Sequence, residues 1–182
     1  MAGQPVLTIA DRMKKLGYIT GLSGKWHLGP SNNPKRKHEP RARGFDFYWT
    51  GAMESGSTNL TLDGKPTKHQ NRKGLPTGIA NRVILQGKYA ESFIDCSQTG
   101  EKPFFLYLPL YGPHVPLIKK SDPYYKKFPK LDYPHYDEWR DDRRRMGLAL
   151  IKSIDDAVGG VMAKLRELGL EENTMVLFAS DN

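Results

Sequence analysis

The 182 residues hold one cysteine, Cys96. A single thiol excludes an internal disulfide framework and any multi-cysteine zinc site. Its place near the end of a candidate helix reads as a semi-buried or exposed free thiol. Long hydrophobic runs are also missing. The longest strongly apolar stretch, 104–111, falls far short of the roughly 18–20 residues that a membrane-crossing helix needs. The opening Met1-Ala2-Gly3-Gln4-Pro5 has neither the charged n-region nor the apolar h-region of a secretory signal, which leaves a cytosolic protein or an N-terminus further upstream. Glycine and proline, 18 and 13 residues, make up about a sixth of the chain, below the share that marks low-complexity sequence. Apolar residues at 38% and charged residues at 26% are enough to bury a core, and the length suits one domain or part of a larger one.

Negative charge is in deficit. Against 28 Lys and Arg stand 20 Asp and Glu, a formal net charge of +8, which invites a nucleic acid, an anionic membrane surface or a small anionic substrate as partner. Distribution separates these. Lys35, Arg36, Lys37, Arg41 and Arg43 are broken up by Pro34, Pro40 and Gly44, so the cluster reads as a loop and not as a groove-reading helix. Between 137 and 145, four acids balance four arginines, as on a solvated helix face. Neither cluster matches a helix-turn-helix, zinc-finger or RNA-recognition signature, so no nucleic-acid partner is expected.

Periodicity predicts helices over 6–16, about 79–95 and about 141–168, the last carrying Ile151, Ile154, Val158, Val161, Met162, Leu165 and Leu168 at steps of three and four. Gly87 weakens the second of these. Strands are expected at 18–22, 104–108 and 174–179, with a short one at 45–49. The 104–108 and 174–179 runs are apolar throughout, as in strands buried on both faces. Two excursions, about 30–76 and 115–140, are rich in Pro, Gly, Lys and aromatics and carry little period. Alternating helices and strands predict an α/β fold: a mainly parallel sheet with helices on both faces.

In such sheets ligands bind beyond the carboxyl ends of the strands. After the first strand come Lys25 and His27, after the second His114, and after the third Asp181 and Asn182. Lys25 and His27 are two apart, so an extended segment turns both to one face, where they can grip an anion. Either histidine taken alone reads more readily as a hydrogen-bonded loop residue. Asp181 and Asn182 suit turn capping as well as hard-oxygen ligation of Ca²⁺ or Mg²⁺.

The block Gly24-Lys25-Trp26-His27-Leu28-Gly29 resembles the lysine and histidine signature of the sulfatases, in the alkaline-phosphatase-like superfamily. Thr8-Ile9-Ala10, Gly17-Tyr18-Ile19-Thr20 and Gly44-Phe45-Asp46 resemble the family's flanking blocks. Lys102-Pro103-Phe104-Phe105-Leu106-Tyr107 and Pro113-His114-Val115-Pro116 resemble its central strand and active-site histidine. Asp155-Asp156-Ala157-Val158-Gly159, Asn173-Thr174 and Ser180-Asp181-Asn182 resemble the helix and strand that lead to its metal-binding Asp-Asn.

The resemblance implies hydrolysis of an aryl or carbohydrate sulfate ester at a divalent cation, Ca²⁺ or Mg²⁺, with a formylglycine nucleophile made within Cys/Ser-x-Pro-x-Arg. By position, Lys25 would neutralise a sulfate oxygen, His27 would orient the nucleophile, His114 would contact the sulfate or leaving-group oxygen, and Asp181 and Asn182 would bind the metal. A cation, a lysine and imidazoles around a sulfuryl group in transit stabilise its spreading charge. The expected partner is a sulfated small molecule or glycan; the Lys35 to Arg43 loop and the Tyr124 to Trp139 segment read equally as a cleft lining, with basic and aromatic side chains for a sulfated sugar, and as solvated surface loops. The family's members are mostly exported to periplasm, cell exterior or lysosome. Departures are equally plain. No Cys/Ser-x-Pro-x-Arg occurs, Cys96 being followed by Ser97-Gln98-Thr99, and the family's upstream pair of metal-binding aspartates is absent. Residues 1–182 thus resemble a partial catalytic domain, incomplete at both ends, and negligible activity is expected of the chain alone. The alternatives are a phosphatase or phosphonate hydrolase of the same superfamily, and a noncatalytic binder of sulfated glycans. Asn59-Leu60-Thr61 also matches a glycosylation sequon.

Overall fold

A computed structural model describes residues 6–27, 39–50, 82–98, 100–115, 117–131 and 137–180, together with the backbone of 58–59, 61–62 and 65–66. The elements run α1 (Ile9–Lys15), β1 (Ile19–Ser23), β2 (Phe47–Trp49), β3 (Thr58–Asn59), β4 (Thr61–Leu62), β5 (Lys65–Pro66), α2 (Arg82–Ser97), β6 (Phe104–Tyr107), α3 (Pro123–Lys126) and α4 (Glu138–Glu167), with 3₁₀ turns at Pro40–Arg43 and Glu171–Asn173. The four-stranded sheet has the order β3-β2-β1-β6. β1 is parallel to both neighbours, with Gly21 opposite Phe47 on one side and Leu106 on the other. β3 closes the far edge antiparallel to β2, and β4 and β5 pair separately. This is the mainly parallel α/β sheet that the alternation of elements predicts.

Helices cover both faces, and strand alternation divides the core accordingly. Ile19, Phe47, Trp49, Phe104 and Leu106 pack with Leu85, Tyr89, Phe93 and Ile94 of α2 and Leu165 of α4. The intervening Leu22, Tyr48 and Phe105 turn the other way, with Phe45 and with Ala10 of α1. Burial of this kind contributes about 25 cal/mol per Å² of apolar surface.

Several boundaries differ from the sequence reading, each for a local reason. α1 starts at Ile9 and not at Val6, because Thr8 and Asp11 form a capping box: the Thr8 N–H donates to the Asp11 carboxylate at 2.8 Å and the Asp11 N–H to Thr8 Oγ1 at 3.1 Å. α4 starts at Glu138, capped by Asp137, whose carboxylate accepts from the Arg140 N–H at 2.8 Å. The 137–145 stretch is no purely solvated face, for Asp141 is buried. Burial alone would raise its pKa, but hydrogen bonds from Arg144 and from the Leu131 N–H, with the charges of Arg144 and Arg145, hold it below the usual carboxylate range. Gly87 does not break α2. A Cβ there would lie 2.9 Å from that of Ala157, so the missing side chain is what lets α4 pack closely on α2. Cys96 is buried near the C-terminus of α2. Ile151, assigned to the core stripe of α4, is exposed, while Leu150, Ser153 and Ala157 are buried.

Two strand expectations are corrected. Residues 174–179 form no strand; the described part of this segment is exposed, Met175 and Leu177 at 86% and Phe178 at 76%. β6, expected to be buried on both faces, lies at a sheet edge among the described residues and is half-exposed, Tyr107 reaching 46%. The excursions also hold some regular structure: β2 to β5 and a 3₁₀ turn fall within the first, and α3 within the second. No helix among the described residues is long and apolar enough to cross a membrane.

Candidate functional site

Because β1 and β6 are parallel neighbours, they end on the same rim, and the loops that follow them leave side by side. The β1 loop carries Lys25 and His27; the β6 loop carries His114. Their backbones are joined. The Lys25 N–H donates to the Pro109 carbonyl at 2.7 Å, and the Gly24 N–H donates to the Trp49 carbonyl at 2.9 Å, so the β1 loop is held between the ends of β2 and β6. The approach is close enough to require glycine at position 24. Its φ is +144°, and a Cβ would stand 2.1 Å from the Pro109 carbonyl oxygen. Trp26, between the two candidate side chains, packs edge-on to Phe45 with ring centroids 5.8 Å apart, and Phe45 stacks on Tyr107 at 6.5 Å.

On the β6 loop, the His114 N–H donates to the Tyr111 carbonyl at 3.1 Å. The His114 ring is exposed, and its Nδ1 lies 2.7 Å from the Val115 carbonyl. A carbonyl only accepts, so Nδ1 carries a proton, and in the neutral ring Nε2 is the acceptor left for other work. Tyr111 is fixed from three sides. Its hydroxyl donates to the Thr50 carbonyl at 3.2 Å, the Arg82 guanidinium lies 4.6 Å from its ring centroid, and its N–H donates to the side-chain carbonyl of Gln86 at 3.1 Å.

Two of the three strand ends named from sequence therefore lie on one rim, the first followed by Lys25 and His27 and the second by His114. The third does not join the described sheet, and Asp181 and Asn182 lie outside the described residues. Among the described residues no three His, Cys, Asp or Glu gather to hold a metal ion. The Lys25, His27 and His114 set, an ammonium and two imidazoles, suits an anion and not a hard cation. Buried Cys96, without the Pro-x-Arg that should follow it, does not fit the formylglycine precursor.

The aromatic stretch expected to stack on a sugar is partly committed elsewhere. Tyr125 is buried and its hydroxyl donates to Asp142, while the Tyr124 hydroxyl donates to Asp156 at 2.6 Å. Burial first, and that bond second, push the Tyr124 phenol up to about 12. Sequence reasoning also missed Gln86, Tyr111 and Arg82. Gln86 left a signal, because it falls on the apolar stripe of α2 between Val83 and Ala90.

The sequence model of one protein family, Sulfatase, matches residues 2–182. The N-acetylgalactosamine-6-sulfatase of Canis lupus familiaris is 28% identical over 96% of the chain and 32% of the relative's length. The arylsulfatase of Hemicentrotus pulcherrimus is 30% identical over 97% of the chain and 31% of its own length. The chain thus spans about a third of the curated relatives it matches. Among solved structures, Ps i-CgsB in complex with k-i-k-neocarrahexaose superimposes with a TM-score of 0.62 at 22% identity, over 92% of this chain and 39% of that one.

Proposed function

The chain belongs to the sulfatase family and has its alkaline-phosphatase-like fold, and from that premise we propose that the Lys25, His27 and His114 rim receives the sulfate group of an aryl or carbohydrate sulfate ester undergoing hydrolysis. The observation that carries this reading is the pairing of the two loops: the Lys25 N–H bonds to Pro109 five residues before His114, at the carboxyl ends of adjacent parallel strands. The relatives' names, N-acetylgalactosamine-6-sulfatase and arylsulfatase, and the neocarrahexaose bound to the structural neighbour support a sulfated sugar or aryl sulfate as the substrate class.

In this mechanism the Lys25 ammonium lies against a sulfate oxygen and offsets charge that grows as the ester S–O bond lengthens. His114, protonated on both ring nitrogens, gives its Nε2 proton to the departing alcohol oxygen while Nδ1 stays on the Val115 carbonyl. His27 orients the attacking group. Asp181 and Asn182 would supply hard oxygen donors to a divalent cation, Ca²⁺ or Mg²⁺, which would add Lewis-acid stabilisation of the sulfate charge. The nucleophile, a formylglycine in this reading, comes from polypeptide outside these residues, so the chain alone hydrolyses no aryl sulfate.

Titration of the chain with inorganic sulfate and phosphate, followed by the NMR signals of Lys25 and the two histidines, tests the reading. Saturable sulfate binding in the millimolar range, lost in Lys25→Ala and weakened in His114→Ala, is expected. Sulfate binding untouched by both substitutions, or a strong preference for phosphate, overturns it. Turnover of an aryl sulfate by the purified chain overturns the external nucleophile.

A further inference from the structure

We propose that Gln86 is a positioning residue of this rim: its buried side-chain amide clamps the loop that carries Lys25 to the loop that carries His114. The proposal deepens the sulfate-site reading and rests on it. Gln86 sits in the first half of α2, behind the sheet, and is 0% exposed. Its Nε2 donates to the Pro109 carbonyl at 3.3 Å, and its Oε1 accepts from the Tyr111 N–H at 3.1 Å. The amide orientation follows from its partners, since the Pro109 carbonyl can only accept and the Tyr111 N–H can only donate.

The same two residues lead directly to the candidate groups. The Pro109 carbonyl that receives Gln86 Nε2 also receives the Lys25 N–H, and the carbonyl of Tyr111 receives the His114 N–H. One amide therefore sits midway in a continuous chain of hydrogen bonds from Lys25 to His114. The helix is tied to β1 at the same point, because Ser23 Oγ donates to the Gln86 backbone carbonyl at 2.7 Å. Position 24 closes around the clamp as well: a Cβ there would lie 2.8 Å from Gln86 Nε2.

The chemistry demands an amide of this length. Leucine fills a similar volume but supplies neither bond, and leaves the half-buried Tyr111 N–H without its acceptor. Glutamate keeps the acceptor for Tyr111 but sets a carboxylate against the Pro109 carbonyl. Asparagine is one methylene short. A residue that only filled space on the α2 stripe would be apolar, like Val83 and Ala90 beside it.

The test uses the chain itself, with Gln86→Leu and Gln86→Glu, and reads amide hydrogen exchange together with inorganic sulfate affinity. In Gln86→Leu the Tyr111 amide exchanges at least about tenfold faster and sulfate affinity falls about tenfold, the scale of one lost hydrogen bond, while Ile94 in the α2 core keeps its protection. In Gln86→Glu the Tyr111 amide stays protected, the Lys25 amide is the one that opens, and sulfate affinity falls by a similar factor. Wild-type sulfate affinity in a folded Gln86→Leu protein overturns the positioning role. If Gln86→Leu does not fold, Gln86→Glu decides on the same two readouts. Should the wild-type chain bind no sulfate at this rim, the sulfate reading fails separately and the clamp is judged on exchange alone. Unchanged Tyr111 exchange in Gln86→Leu then overturns the clamp, and acceleration upholds it.

Discussion

Thr20 and Asp46 hold each other through reciprocal hydrogen bonds. The Thr20 N–H and hydroxyl both lie on Asp46 Oδ2, at 3.2 and 2.9 Å, while the Asp46 N–H lies 3.1 Å from Thr20 Oγ1. The same hydroxyl is 2.6 Å from the Gly44 carbonyl. This knot fastens the turn before β2 to the start of β1, and Lys14 of α1 joins it through an ion pair with Asp46. Thr20→Val keeps the shape and removes the hydroxyl, so it should destabilise the chain by about 1–3 kcal/mol. Thr20→Ser should recover most of the loss. Urea unfolding midpoints of the three proteins check this, and equal midpoints for Val and wild type would refute it.

Two glycines with positive φ separate strain from collision. Gly17, at +90°, has open space where a Cβ would go, whereas Gly24, at +144°, would drive one into Pro109. Gly17→Ala should cost about 1 kcal/mol through its dihedral alone. Gly24→Ala should cost more than Gly17→Ala and should also weaken sulfate binding, because Lys25 follows directly. Denaturation curves read the first effect and sulfate titration the second.

Alkaline stability should report on Tyr124. Its folded pKa is raised to about 12, by burial and then by the bond to Asp156, against about 10 for an unfolded tyrosine. A raised folded pKa contributes stability that is fully present below the unfolded value and disappears as pH climbs through the folded one. The stability difference between wild type and Tyr124→Phe should therefore be largest at pH 9 and shrink steadily towards pH 12. Urea midpoints at one-unit steps measure it; a constant difference would show that the phenol does not titrate late.

The exposed apolar run of Met175, Leu177 and Phe178 should make the chain self-associate as its concentration rises. Sedimentation should show a shift to monomer in a Leu177→Lys, Phe178→Lys double variant. Identical profiles would place the association elsewhere.

What was legible in the sequence depended on the range of the information. Ile19 to Leu22 and Phe104 to Tyr107 read as strands because their own residues say so: both are short and rich in strand-favouring side chains, although the cover on both faces expected for Phe104 to Tyr107 is only partial. The rule that ligands gather beyond strand ends then pointed to the loops after β1 and β6, and the parallel pairing of those strands brings the two loops out on one rim. The 174–179 run has the same composition, yet strand formation also requires a neighbouring ladder, which composition does not specify. Gly87 looked like a flaw in a helix until Ala157 was seen against it. Tyr124 and Tyr125 looked like a stacking platform until the carboxylates of Asp156 and Asp142 claimed their hydroxyls. Gln86 was missed although it is a polar residue on an apolar stripe, and its partners on the β6 loop were not predictable from spacing.

The register of β1 has a consequence for the order of assembly. Its pairing with β2 joins segments close in the chain, Gly21 with Phe47, whereas its other edge must wait for Phe104 to Tyr107. Closing that longer loop costs only about 1 kcal/mol more in entropy than closing the first, but it must follow more chain, so the capture of β6 should come after the β1 and β2 pairing. During synthesis, β1 and β2 can meet early, while α2 has yet to leave the ribosome, and the face later covered by Phe93 is bare in that interval. The two loops of the rim are then among the last parts to come together.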